Sequence, residues 1–105
     1  MSIMIDIPFK DHKLCIYSGK KGRVVFNNTV KLVTPEWKDD NKADGMTFQN
    51  HIFVEDKKNM SVLLHEVSHF LDNLYEEFSC ETETEFKACL FAYIMLEVLK
   101  VLKWV

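Results

Sequence analysis

Glycine and proline are scarce in this chain, with three and two residues among 105. A sequence so poor in turn formers cannot supply the many tight turns of a sandwich or propeller, and it is neither collagen-like nor a flexible linker. Helices must therefore carry much of the mass. Cysteine is nearly as rare. Cys15, Cys80 and Cys89 form no C-x-x-C pair and leave one thiol unmatched, which points to a reduced intracellular chain and not to a disulfide scaffold. Long apolar runs are missing too: the run over residues 88–96 stops at Glu97, and Lys100 and Lys103 break up the remaining residues. That is well short of the roughly twenty residues of a membrane span. The apolar start, residues 2–9, is broken by Asp6 and comes after no basic stretch, so no signal peptide is expected. Nor is there a global excess of positive charge. A formal net charge of −3 gives no field for non-specific binding of nucleic acid.

The chain has the size of one domain with one site, residues 1–105, and an ordinary globular composition of 48% hydrophobic and 28% charged residues. The charges are segregated. Residues 1–31 hold six cations against two acids, and residues 66–97 hold eight acids against one cation. The acidic block reads either as a solvated helix face or as a cation site. The basic cluster Lys20, Lys21 and Arg23 reads as a solvated hairpin turn, since few aromatic platforms lie near it.

Hydrophobic periodicity divides the chain in two. Short apolar bursts at Ile3, Ile5 and Ile7, at residues 14–17, 24–26 and 30–33, and at residues 51–54 predict strands. Residues 18–22, with two glycines, predict a hairpin connection, and Asn27, Asn28 and Thr29 the next turn. Residues 34–46 read as a surface loop with one apolar anchor, Trp37. Residues 1–54 are thus expected to be mainly sheet and loop. From Met60 the period lengthens to that of a helix, expected over 59–78 with Asn59 or Ser61 as its cap. A second helix is expected over 82–104, opened by the capping-box pair Thr82 and Glu85. It is apolar on more than one side, at Leu96, Leu99, Leu102 and Trp104, and this surplus points to a homodimer or a partner-protein contact.

The first helix carries His65-Glu66-Val67-Ser68-His69, the H-E-x-x-H pattern. Residues four apart share a helix face, so two imidazoles can address one tetrahedral metal while Glu66 is turned to reach a water. A catalytic zinc takes a third protein ligand and keeps a position open. Glu85 is the first choice, with Glu81, Glu83 and the softer Cys89 as alternates. Asp72, on the same stripe as both histidines, is a candidate hydrogen-bond acceptor for a ligand imidazole. Tyr75, Tyr93, His51 and His12 are the side chains of a type to stabilise an oxyanion. A peptide substrate can pair with residues 51–54 if that strand lies at the sheet edge.

Residues 63–72, Leu-Leu-His-Glu-Val-Ser-His-Phe-Leu-Asp, together with the later Glu85-Phe86-Lys87-Ala88-Cys89-Leu90, resemble the small gluzincin-type metallopeptidase-like proteins of bacteriophages and bacterial mobile elements. Those proteins share LLHExxH and then ExxAxL. Gly45, Met46, Thr47 and the strand at 51–54 are similar to the approach to the motif in that group, so the resemblance covers about residues 45–95. It implies an α+β minimal zincin-like domain: a small, mostly antiparallel N-terminal sheet, an HExxH helix and a glutamate-bearing C-terminal helix. It implies zinc held by His65, His69 and Glu85, with Glu66 as general base for a metal-activated water in peptide hydrolysis. Such a hydrolase would act on a peptide or protein in the cytoplasm of a bacterium or phage-infected cell. The alternative is a phage-encoded, non-catalytic zinc-binding interaction or assembly protein. A third reading has no metal, with His65 and His69 on a partner-binding helix. An intact Glu66 favours the enzyme, because a purely structural site does not need it.

Overall fold

A computed structural model of the chain describes residues 2–6, 13–39, 42–77 and 84–101. Strands β1 (Ser2–Asp6) and β2 (Lys13–Ser18) lead to helix α1 (Gly19–Val33), strands β3 (Gly45–Phe48) and β4 (His51–Val54), and helices α2 (Met60–Glu77) and α3 (Thr84–Val101). The architecture is α+β. The four strands form one mixed sheet in the order β1-β2-β4-β3. Two pairings are antiparallel, β1 with β2 and β3 with β4, and the central one, β2 with β4, is parallel.

That parallel pairing stems from the main departure from the sequence-based expectation. Residues 24–26 and 30–33 are not strands, residues 18–22 are not a hairpin, and Asn27, Asn28 and Thr29 are not a turn; all but Ser18 lie in α1. Four valines and a threonine give the stretch a β-like composition, yet its buried positions Gly22, Phe26, Asn27 and Val30 recur at helical spacing. Gly19 opens the helix at φ 76°, a conformation natural to glycine. Thr29 folds its hydroxyl back onto the Val25 carbonyl at 2.8 Å. α1 and the loop after it cross one face of the sheet, β3 enters antiparallel to β2, and the reversal at Gln49 and Asn50 brings β4 back parallel to β2. β4 is then interior, and β3 is the edge strand.

Alternation along the strands sorts the side chains into two cores. Leu14, Ile16, Ile52 and Val54 face α2 and α3, packing with Leu63, Val67 and Ile94 among others. Tyr17, Met46 and Phe53 face α1, packing on Phe26 and Val30. Trp37 anchors the loop after α1, as expected: its ring packs edge-on against Phe26 and Phe48, and its Nε1 donates to the buried Asn27. Arg23 ties the same loop down by donating to Asp39 at 2.9 Å and to the Ala43 carbonyl and Glu55 at 2.8 Å, while its guanidinium lies 4.5 Å from the centre of the Phe53 ring. These contacts raise the Arg23 pKa above its ordinary value, the Glu55 bond first. They fix the residues just before β3 and just after β4.

α2 begins where the sequence places it, with the Asn59 side chain accepting from the Val62 amide at 3.3 Å. The proposed Thr82 cap lies outside the described residues. Among the described residues no helix is long and apolar enough to cross a membrane.

Candidate metal and hydrolytic site

The buried stripe of α2 runs through Leu63, Val67, Phe70 and Leu74, and Glu66 falls on its flank at only 6% exposure. His65 and His69 are turned away from that stripe and exposed. Their Nε2 atoms converge to 3.1 Å. Two nitrogens about 2.05 Å from a tetrahedral zinc stand about 3.3 Å apart, so the spacing suits a shared metal. The rings are nearly perpendicular, at 85°, and can reach a common point without stacking.

β3 holds the carboxylate. On an edge strand, Gly45 and Thr47 share one face of the pleat, and this is the face that packs on α2. The Thr47 hydroxyl donates to Glu66 Oε1 at 2.7 Å and also lies 3.1 Å from the Glu66 main-chain carbonyl oxygen. Gly45 permits the approach: a Cβ there would lie 2.7 Å from Val62 Cγ1, 2.8 Å from Glu66 Cγ and 2.9 Å from Glu66 Oε2. With Oε1 engaged, Oε2 is the oxygen on the histidine side, 3.9 Å from His65 Nε2. A gap of that size suits a bridging water. The cavity in front of these groups has a volume of about 390 Å³ and is lined by Gly45, Thr47, His65, Glu66, His69 and Asn73.

Of the residues named from the sequence, His65, Glu66 and His69 come together here. Glu85 lies exposed in the first turn of α3 and Cys89 is exposed one turn on, and neither lines the cavity. Among the described residues no group of three His, Cys, Asp or Glu side chains is placed to hold a metal. Glu81, Glu83 and His12 lie outside the described residues. Asp72 is exposed on α2 without lining the cavity. Tyr75 is buried and donates to the Lys87 carbonyl at 3.1 Å, and Tyr93 is exposed on α3.

His51 sits on the other face of the sheet by strand parity, with Nδ1 2.9 Å from the Tyr17 hydroxyl. Burial lowers its pKa below the ordinary histidine value. Burial also raises the pKa of its neighbour Cys15, which keeps that thiol protonated. The residues missed from sequence are Thr47 as the carboxylate's partner and Asn73. Both had a signal: Thr47 is two residues from Gly45 on one strand face, and Asn73 continues the i, i+4 series of His65 and His69.

Comparison with protein-family models, with curated proteins and with solved structures finds no match.

Proposed function

We propose that the chain is a zinc-dependent peptidase of minimal zincin type, acting on an extended peptide or unfolded protein segment inside a bacterial or phage-infected cell. The observation that carries this reading is the convergence of the His65 and His69 Nε2 atoms at 3.1 Å beside a buried carboxylate that, among the described residues, is hydrogen-bonded on one oxygen only. Two imidazoles on an open cavity and not enclosed in the core supply two of the three protein donors that a catalytic zinc takes. His65 and His69 would hold the metal, and the third donor is assigned to Glu85 on the resemblance alone. A bound zinc supplies Lewis acidity, lowering the pKa of a water and polarising a carbonyl. Thr47 fixes Glu66 Oε1, which leaves Oε2 to take the proton of the attacking water and later pass it to the leaving amine. β3, at the sheet edge beside the cavity and without an outer neighbour among the described residues, offers its backbone groups to an extended substrate.

Glu66→Gln tests the assignment. Cleavage of a quenched peptide library is expected to fall by about 10³-fold while zinc content and melting temperature hold. Full activity in this variant refutes the role. Metal analysis of the parent, His65→Ala and Glu85→Ala, purified without added metal, tests the ligands: near one zinc per chain in the parent is expected, lost in both variants. Retention in Glu85→Ala moves the third donor to Glu81, Glu83 or Cys89.

The second reading, a non-catalytic zinc-binding interaction protein, is favoured by exposed apolar side chains at Leu32 and Val33 on α1 and at Phe91 and Leu96 on α3. It predicts zinc binding without turnover, and a Glu66→Gln variant indistinguishable from the parent.

A further inference from the structure

Peptide hydrolysis places negative charge on a carbonyl oxygen, and a donor aimed at that oxygen is worth a large part of the rate. We infer that Asn73 is this donor, its carboxamide N–H bonding the substrate carbonyl oxygen as it becomes an oxyanion. This rests on the peptidase reading above.

Among the described residues six line the cavity, and five of these are committed or unsuited. Gly45 has no side chain. The Thr47 hydroxyl donates to Glu66, and Glu66 is itself an acceptor and the proton carrier. His65 and His69 turn their Nε2 atoms toward one another. Asn73 alone presents an uncharged group with two N–H donors. It is exposed, and its amide has no partner among the described residues. Its position suits the role. Four residues beyond His69 and eight beyond His65, it stands on the imidazole stripe, and helical side chains lean toward the N-terminus. Asn73 also lines the same cavity as both imidazoles. The other donors by type are elsewhere: Tyr75 is spent on Lys87, His51 is bonded to Tyr17 behind the sheet, and Tyr93 does not line the cavity.

The electrons balance without any proton leaving Asn73. As the water oxygen bonds to the carbonyl carbon, the C=O π pair moves onto oxygen and is held by the Asn73 N–H. The water's proton goes to Glu66 Oε2. When the pair returns and the C–N bond breaks, that proton passes to the departing nitrogen.

The test uses the zinc-loaded full chain, a quenched peptide substrate, and a tripeptide phosphonate whose tetrahedral anionic centre stands in for the oxyanion. Asn73→Ala is expected to lower kcat about a hundredfold with KM little changed. It should also weaken phosphonate binding in calorimetry at least tenfold, with zinc affinity and melting temperature kept. Asn73→Asp, isosteric but without the N–H donors, should match Asn73→Ala. Phosphonate binding and kcat unchanged in Asn73→Ala overturn this inference alone, as does a loss of activity that tracks a loss of zinc. A zinc-loaded parent that neither binds phosphonate nor cleaves peptide overturns the peptidase reading and this inference with it.

Discussion

Gly45 is where a single methyl group reports on the whole arrangement. In Gly45→Ala the new Cβ meets Val62 Cγ1 at 2.7 Å, Glu66 Cγ at 2.8 Å and Glu66 Oε2 at 2.9 Å. Comfortable carbon contacts lie at about 3.5–4.0 Å, so something must move by about 1 Å. Two responses are open. α2 can back away from β3, an overpacking adjustment that costs about 1–3 kcal/mol. Alternatively Glu66 can swing out, which breaks its bond from Thr47, and a hydrogen bond to a charged group contributes about 1.5–3 kcal/mol. The responses substitute for one another, so about 2 kcal/mol is the expected cost. For a domain of this size that lowers Tm by about 8–16 °C. Gly19→Ala is the control, because Gly19 has a φ of 76° and nothing within 4 Å of an added Cβ, leaving backbone strain of about 1 kcal/mol and no clash. Circular dichroism melts of the three proteins, with quenched-peptide cleavage alongside, make the comparison. Gly45→Ala should be the less stable variant and the one that loses activity. A Gly45→Ala protein that melts within about 2 °C of the parent, or above Gly19→Ala, refutes the contact between β3 and α2 as described.

Thr47→Val keeps the strand and the shape but removes the only described donor to Glu66 Oε1, so stability should fall by about 1–3 kcal/mol in urea titrations and cleavage should drop; Thr47→Ser should restore both, and a Val variant as stable and active as the parent contradicts the hydroxyl's role. Arg23→Ala removes the bonds to Asp39, Ala43 and Glu55 at once and should cost about 2 kcal/mol, with Arg23→Lys recovering less than half because an ammonium cannot span the three acceptors. Equal stability of Lys and Arg at this position argues against a planar clamp. His51 has a folded-state pKa below the 6.5 of the free side chain, so its contribution is complete above pH 6.5. As pH falls through 6.5 the unfolded chain takes up a proton that the folded chain refuses, and stability is lost down to the lowered value. His51→Gln should therefore show a shallower decline in urea midpoint between pH 7.5 and 5.5, and an unchanged slope assigns the acid sensitivity to other groups.

The parts legible in the sequence were those whose period is set by one rigid element. In α2 the apolar positions from Leu63 to Leu74 and the polar pair His65 and His69 belong to the same helical repeat, so spacing alone assigned a face to each side chain. β1, β2 and β4 were legible for the same reason at period two, and Trp37 was legible as an anchor because it is the one large aromatic among the polar residues of its loop. α1 was not. Val24, Val25, Thr29 and Val33 are strand formers, and in α1 they stand exposed or half-buried, so intrinsic preference argues for one structure and the buried Gly22, Phe26 and Val30 for another. The sheet decides between them, because Phe26 and Val30 reach Tyr17 and Phe53 only from a helix lying across it.

The same crossover explains why the site was half legible. With α1 above the sheet, β4 enters beside β2, and β3, joined to it through Gln49 and Asn50, must take the outer place. A four-residue strand beginning at a glycine reads locally as the end of a loop. Its role appears only when α2 is laid against it, for then Gly45 clears the way for Glu66 and Thr47 binds it. The histidines belong to one helix and were open to a reading by spacing. The carboxylate's orientation belongs to a strand–helix contact 19 residues apart in sequence, and it forms only when α2 packs back across β3 and β4.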